Sequence, residues 1–87
     1  MDLKGSKFWN VNINNSNFNG ANLTKANFQG ANLSHSLFIE AILIKAYLQS
    51  ATLDNTNFQD AKITASNFIG ATLIKAKLNN ADIKFNN

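Results

Sequence analysis

The chain contains neither cysteine nor proline among its 87 residues. Without cysteine it can form no disulfide and no thiolate site. Proline has no backbone N–H to donate, so its lack is compatible with hydrogen-bonded β-strands throughout. No apolar run is long enough for a membrane-spanning helix and no signal peptide is recognisable. We therefore expect no membrane partner and slightly favour a cytoplasmic location.

Side chains that carry catalysis or bind metals are also scarce. His35 is the single histidine, and no second histidine or carboxylate pair is spaced to complete a site with it. Among the five acidic residues, Glu40 and Asp60 can lie close together, but two carboxylates supply fewer oxygens than calcium requires. We therefore expect no enzyme activity, no catalytic or metal-binding residue and no cofactor.

A five-residue repeat runs through the whole chain. A large apolar residue, here called the centre, recurs at every fifth position, and the residue two before it is nearly always Ala, Ser or Thr. The centres are Leu3, Phe8, Ile13, Phe18, Leu23, Phe28, Leu33, Phe38, Leu43, Leu48, Leu53, Phe58, Ile63, Phe68, Leu73, Leu78 and Ile83. Five residues turn an α-helix by about 140°, and side chains of a straight strand alternate with a period of two. The centres can share one interior only if the chain turns a corner in every repeat, which predicts a β-solenoid.

The phenylalanine centres indicate how many sides each coil has. They alternate with Leu or Ile centres, and either two or four sides per coil preserve that alternation. A two-sided coil leaves little room for facing rings. We therefore predict four sides and 20 residues per coil, which gives about four coils in a single domain of residues 1–87. Phe8 should then stack on Phe28, and Phe18, Phe38 and Phe58 should form a second column.

Units such as Ala-Asn-Leu-Thr-Lys and Ala-Asn-Phe-Gln-Gly resemble the A(D/N)LXX unit of pentapeptide repeat proteins. The resemblance covers essentially the whole chain. It implies an all-β fold, a right-handed four-sided β-helix in which the centre and the small residue point inward. Many members carry a terminal capping helix, and we expect none here. The chain departs from the unit where Leu37, Ile42 and Tyr47 replace Asn or Asp just before the centre, which alters the outer surface and leaves the core intact.

The two ends of the chain also depart from the repeat. Met1 and Val11 are larger than the small residues at equivalent positions, and Phe85 lies out of register. Because terminal repeats of solenoids are atypical, we expect these three residues to cover the open coil ends. The alternative for Phe85 is an exposed contact residue. Uncovered strand edges could pair with another copy of the chain.

Apolar side chains cluster in one region of the predicted outer surface. Outward positions flank each centre and are mostly Asn, Gln, Ser, Thr or Lys. The candidate interface, here called the apolar band, consists of Leu37, Ile39, Ile42, Ile44, Tyr47 and Ile69. A contiguous exposed apolar patch is typical of a contact site, and the alternative is simple β-propensity on a sheet surface.

Lysines concentrate on one predicted side of the coil. This basic side carries Lys4, Lys25, Lys45, Lys62 and Lys84, together with Asp2 and Asp82. The net charge is +3 and arginine is lacking. Lysine alone attracts polyanions without specificity. Solubility is therefore the favoured explanation, and nucleic acid is a disfavoured partner.

These observations favour a non-catalytic interaction or structural scaffold that presents its surface to a protein partner, or to itself as a homodimer. The family resemblance adds a DNA mimic that binds a type II topoisomerase. That role requires an acidic surface, and the net charge of +3 opposes it. Weak polyanion binding through the basic side is the third hypothesis.

Overall fold

The chain folds as a β-helix whose coils repeat every 20 residues. The computed structural model describes residues 1–84 and 86–87. Parallel bridges join each outward residue just before a centre to its equivalent 20 positions later, as in Lys7–Asn27 and Tyr47–Asn67. The described part measures 27 × 26 × 25 Å. The predicted coil of four sides is thus confirmed.

Regular strands occur on one side of the coil. They are β1 (Ile42–Ile44), β2 (Lys62–Thr64) and β3 (Asp82–Lys84), which pair in parallel in the order β1-β2-β3. The other sides form single bridges, because each straight segment is only a few residues long before the chain turns. Residues 1–84 and 86–87 contain no helix.

The four sides are named here by the centres that they share. Side 1 has Leu3, Leu23, Leu43, Ile63 and Ile83; side 2 has Phe8, Phe28, Leu48 and Phe68; side 3 has Ile13, Leu33, Leu53 and Leu73; side 4 has Phe18, Phe38, Phe58 and Leu78. Successive sides meet at a corner residue, which lies two positions after each centre. The side chains that flank a centre face outward, and the same outward position stacks in a row along the helix axis.

Phenylalanine rings stack along the axis inside the coil. The rings of Phe8 and Phe28 are 4.9 Å apart at 8°, and those of Phe38 and Phe58 are 4.7 Å apart at 11°. Rings on different sides meet edge to face, as Phe28 and Phe38 do at 6.3 Å and 84°. Both arrangements are favourable for aromatic quadrupoles. The predicted columns are therefore confirmed.

Corners require left-handed backbone. Corner residues have φ between 55° and 74°, and only four of them are glycines; Lys25, Lys45 and Ala65 are among the others. A typical corner is a β-turn in which the Ala21 N–H donates to the Phe18 carbonyl at 3.0 Å. Positive φ at the third residue of such a turn is the type II geometry. Each non-glycine corner costs about 1–2 kcal/mol of backbone strain, which stacking between coils must offset.

Some corners are closed by a side chain from the next coil. Ser66 is fully buried; its hydroxyl accepts the Ala46 N–H at 3.0 Å and donates to the Leu43 carbonyl at 2.8 Å. Asn86 does the same one coil later, accepting the Ser66 N–H at 2.8 Å and donating to the Ile63 carbonyl at 3.0 Å. These side chains join consecutive coils of side 1 where the turn lacks its own hydrogen bond.

Replacing Ser66 with alanine tests this bridge. Ser66→Ala would leave the buried Ala46 N–H without its acceptor, so we expect a loss of about 1–3 kcal/mol in the free energy of unfolding. Urea denaturation followed by circular dichroism measures it. The control is Ser50→Ala at an exposed corner, and equal stability of the two variants would show that the turn closes without the hydroxyl.

Candidate interaction surfaces

Asparagine just before a centre normally closes the turn that follows. The Asn27 side-chain oxygen accepts the Gln29 N–H at 3.0 Å, and Asn57 and Asn67 do the same for the residues two positions on. This is the Asx-turn pattern. The Asn of the repeat unit therefore stabilises the turn that directly follows it. A residue whose side chain has no such acceptor cannot make this hydrogen bond.

The apolar band contains three such departures in a row. Leu37, Ile42 and Tyr47 stand just before successive centres on sides 4, 1 and 2. An Asn at position 37 would accept a hydrogen bond from the Ile39 N–H. In this chain the side-chain oxygen of Asn19, in the preceding coil, accepts that hydrogen bond instead, at 2.8 Å. The three replacements thus remove local hydrogen-bond acceptors and place apolar groups outward.

The structure spreads the apolar band over three sides of the coil, with Ile42 and Ile44 on the middle one. Leu37 and Ile39 flank Phe38 on side 4, and Ile42 and Ile44 flank Leu43 on β1. Leu37, Tyr47 and Ile69 are exposed, while Ile39, Ile42 and Ile44 are partly buried by the coils above and below. Residues 37–47 follow three consecutive sides. Ile69 lies apart, one coil further on side 2 and two residues beyond Asn67, the ladder partner of Tyr47.

Besides centres of the last coil such as Leu78, two exposed apolar residues at outward positions were not included in the sequence-based interface. Trp9 is 51% exposed on side 2 of the first coil, and Ile74 is exposed on side 3. Trp9 follows a centre directly, so the five-residue register already places it outward. Examining every outward position for aromatic residues would have identified it.

The basic side is partly neutralised by its own carboxylates. The Lys4 ammonium lies 4.0 Å from an Asp2 oxygen, and the Lys84 ammonium lies 3.5 Å from an Asp82 oxygen. Such exposed pairs contribute little stability, but they lower the net charge of side 1. Lys62 is next to Asp82 in the β2–β3 ladder. Lys25 and Lys45 are exposed corner residues between sides 1 and 2.

The coil ends present a mixed picture. Met1 is 67% exposed and Val11 is also exposed, whereas Leu3, Phe8 and Ile13 pack against the core at that end. Phe85 lies outside the described residues. Capping of the coil ends by Met1, Val11 and Phe85 therefore stays a prediction. At the other end an apolar cavity of about 220 Å³ opens in the last coil. It is lined by Phe58, Ile63, Phe68, Leu73, Leu78, Ile83 and Asn86.

Reactive groups are dispersed over the surface. His35, Glu40 and Asp60 are exposed corner residues, and residues 1–84 and 86–87 hold no cluster of three potential metal ligands. Within the same residues no helix could cross a membrane.

Comparisons with known proteins agree with this architecture. A family profile described as a pentapeptide repeat region matches residues 11–87, and a search of curated protein sequences gives no match. One similar structure is HetL of Nostoc sp. strain PCC 7120, a pentapeptide repeat protein involved in heterocyst differentiation regulation. Its TM-score is 0.90 and its identity 29%, and the match covers 93% of this chain and 38% of HetL. Rfr23 of Cyanothece 51142 has a TM-score of 0.93 and 20% identity over 98% and 58% of the two chains.

A pentapeptide repeat protein from the Arabidopsis thaliana thylakoid lumen is also similar. Its TM-score is 0.62, with 30% identity over 99% of this chain and 60% of its own. The chain thus spans 38% to 60% of the length of these three proteins. The likeness to pentapeptide repeat structures confirms the right-handed four-sided β-helix.

Proposed function

The chain belongs to the pentapeptide repeat family, and from this we propose that it is a non-catalytic interaction scaffold whose apolar band contacts a protein. We favour a second copy of the chain as that protein. The scaffold role fits a fold in which side chains fill the interior of the middle coils and the outer sides are accessible.

The observation that carries this proposal is the run of replacements at Leu37, Ile42 and Tyr47. At equivalent positions Asn27, Asn57 and Asn67 hold the following turn through a side-chain hydrogen bond. Such a bond contributes about 0.5–1.5 kcal/mol, and an outward apolar residue gains little from burial within its own chain. Replacement of this acceptor by Leu, Ile and Tyr at three successive repeats supports a contact outside the chain.

Lateral pairing suits the geometry of the band. Ile42 and Ile44 lie on the flat strand β1, with Leu37 and Tyr47 on the adjoining sides. A closed two-fold dimer brings the same patch of two copies together, and we propose that arrangement for the band. End-to-end pairing through open strand edges is the competing route to self-association.

The other two functions have weaker support. A net charge of +3 opposes mimicry of DNA toward a topoisomerase. The basic side of the sequence analysis includes the Lys4–Asp2 and Lys84–Asp82 pairs, which reduce its attraction for polyanions. The protein scaffold therefore remains the best supported.

Two lysine substitutions on β1 test lateral association. Ile42→Lys with Ile44→Lys would place charges on both flanks of Leu43, so we expect a wild-type dimer to become monomeric. Light scattering at high micromolar concentration measures the mass. The control, Thr72→Lys with Ile74→Lys, makes matching changes around Leu73 on side 3 and should leave the dimer intact.

Other outcomes distinguish the alternatives. An end-to-end dimer would survive the substitutions at Ile42 and Ile44 and would be disrupted by changing Met1. A wild-type monomer at the same concentration would contradict self-association and would leave the band to a different protein.

A further inference from the structure

We propose that side 2 binds single-stranded nucleic acid, through base stacking on Trp9 and Tyr47 and phosphate contacts from Lys7, Lys25 and Lys45. This activity goes beyond protein binding through the apolar band, and the two surfaces share Tyr47. It departs from the sequence-based expectation, which considered lysines without neighbouring aromatic rings.

Side 2 holds the solvent-exposed aromatic rings of the described residues. Trp9 is 51% exposed and Tyr47 is 45% exposed, whereas Phe18, Phe28, Phe38 and Phe58 are buried in the core. Apart from Ile69, the other outward residues of side 2 are polar or charged, and the exposed Trp and Tyr rings gain little from the core of their own chain. Aromatic side chains of this kind serve as stacking platforms for unpaired bases.

The unbalanced positive charge of the chain lies on the same side. Lys7 is in the outward row of side 2, and Lys25 and Lys45 occupy the corner row at its edge, one coil apart. Among the described residues, Lys4 and Lys84 lie within 4.0 Å of an aspartate oxygen, and none of these three lysines does. No carboxylate lies on side 2 or at either of its corners among residues 1–84 and 86–87.

The spacing of the rings suits a short strand. Lys7, Asn27 and Tyr47 follow one another in a single ladder row, and Trp9 is two residues after Lys7. With about 4.8 Å between coils and about 3.3 Å per residue along a strand, the backbones of Trp9 and Tyr47 are roughly 12 Å apart. At about 3.4 Å per nucleotide, four stacked bases span both rings.

The groups between the rings complete the surface. Asn27 and Gln29 are the outward residues of the second coil on side 2, between the coils that carry Trp9 and Tyr47, and Gln29 is exposed. Their amides can donate to phosphate and base oxygens and accept from base amino groups. A lysine and aromatic surface of this type favours single strands over duplexes, because paired bases do not offer their faces for stacking.

Trp9 is the single tryptophan of the chain, so its fluorescence reports directly on the proposed site. The probe is an oligothymidylate of about twelve nucleotides, within the site sizes of single-strand binders. An oligouridylate RNA, a DNA duplex of the same length and heparin are measured for comparison. We expect saturable quenching by both single strands and weaker binding of the duplex. With three phosphate contacts, log Kd should change with log salt with a slope of magnitude about 2.

Substitutions separate stacking from charge. Trp9→Leu, followed by fluorescence anisotropy of a labelled strand, should weaken binding by about tenfold, since it retains apolar character and removes the stacking face. Lys25→Gln with Lys45→Gln should weaken binding and reduce the salt slope to a magnitude of about 0.7. The matched control, Lys75→Gln with Lys77→Gln, removes the same charge near side 4 and should retain most of the affinity and the salt slope.

Several results would overturn the proposal. These are a lack of saturable quenching at low salt, equal affinity of Trp9→Leu and wild type, or equal losses in the two lysine pairs. Heparin binding as tightly as the oligonucleotide, without tryptophan quenching, would show that charge alone attracts polyanions. The binding measurements use Trp9→Leu and the two lysine pairs and not the Ile42 and Ile44 variant, so the oligomeric state of that variant tests the apolar band alone.

Discussion

Parallel backbone pairing between residues 20 positions apart is the constraint on which the rest of this structure depends. Asn22, for example, is the ladder partner of Asp2 in the preceding coil and of Ile42 in the next. The hydrogen bonds of these pairs include Leu23 N–H to the Ile42 carbonyl at 2.7 Å and Asn22 N–H to the Met1 carbonyl at 2.8 Å. Because the same pattern recurs around the coil, every side chain stands above its equivalent in the next coil. This stacking brings the phenylalanines into columns and allows corner residues such as Ala65 to adopt positive φ.

The same constraint separates the parts of the sequence that fold the chain from those free to bind. Centres and small residues fill the interior, and Asn just before a centre holds the next turn. At the remaining outward positions, Asn19 and Asp54 also accept backbone N–H groups of the next coil, whereas other outward side chains are exposed and available for binding. Two neighbouring surfaces use them: the apolar band along sides 4, 1 and 2, and the aromatic and basic surface of side 2. Tyr47 belongs to both, so occupants of the two surfaces would meet there.

Much of the fold was predictable from the sequence, and less of the surface was. The five-residue period and the alternation of Phe with Leu fixed the coil length, which the Phe38–Phe58 stack confirms. The role of Ser66 was not predictable, because a serine at a small inner position fits the pattern as well as alanine does. The Lys4–Asp2 contact depends on side-chain rotamers that no period encodes. Trp9 was identifiable from its register, whereas the partners of the apolar band depend on a second molecule.

Disulfide cross-linking tests the 20-residue stacking most directly, because the chain has no cysteine of its own. Asn32 and Thr52 are ladder partners on side 3, and neighbouring strands about 4.8 Å apart are within disulfide reach. Asn32→Cys with Thr52→Cys should therefore oxidise to an intramolecular disulfide, detected by mass spectrometry and thiol titration. Asn32→Cys with Asn57→Cys places the second thiol on side 4 and should remain reduced under the same conditions. Equal cross-linking of the two pairs would contradict the coil register from which both surfaces are assigned.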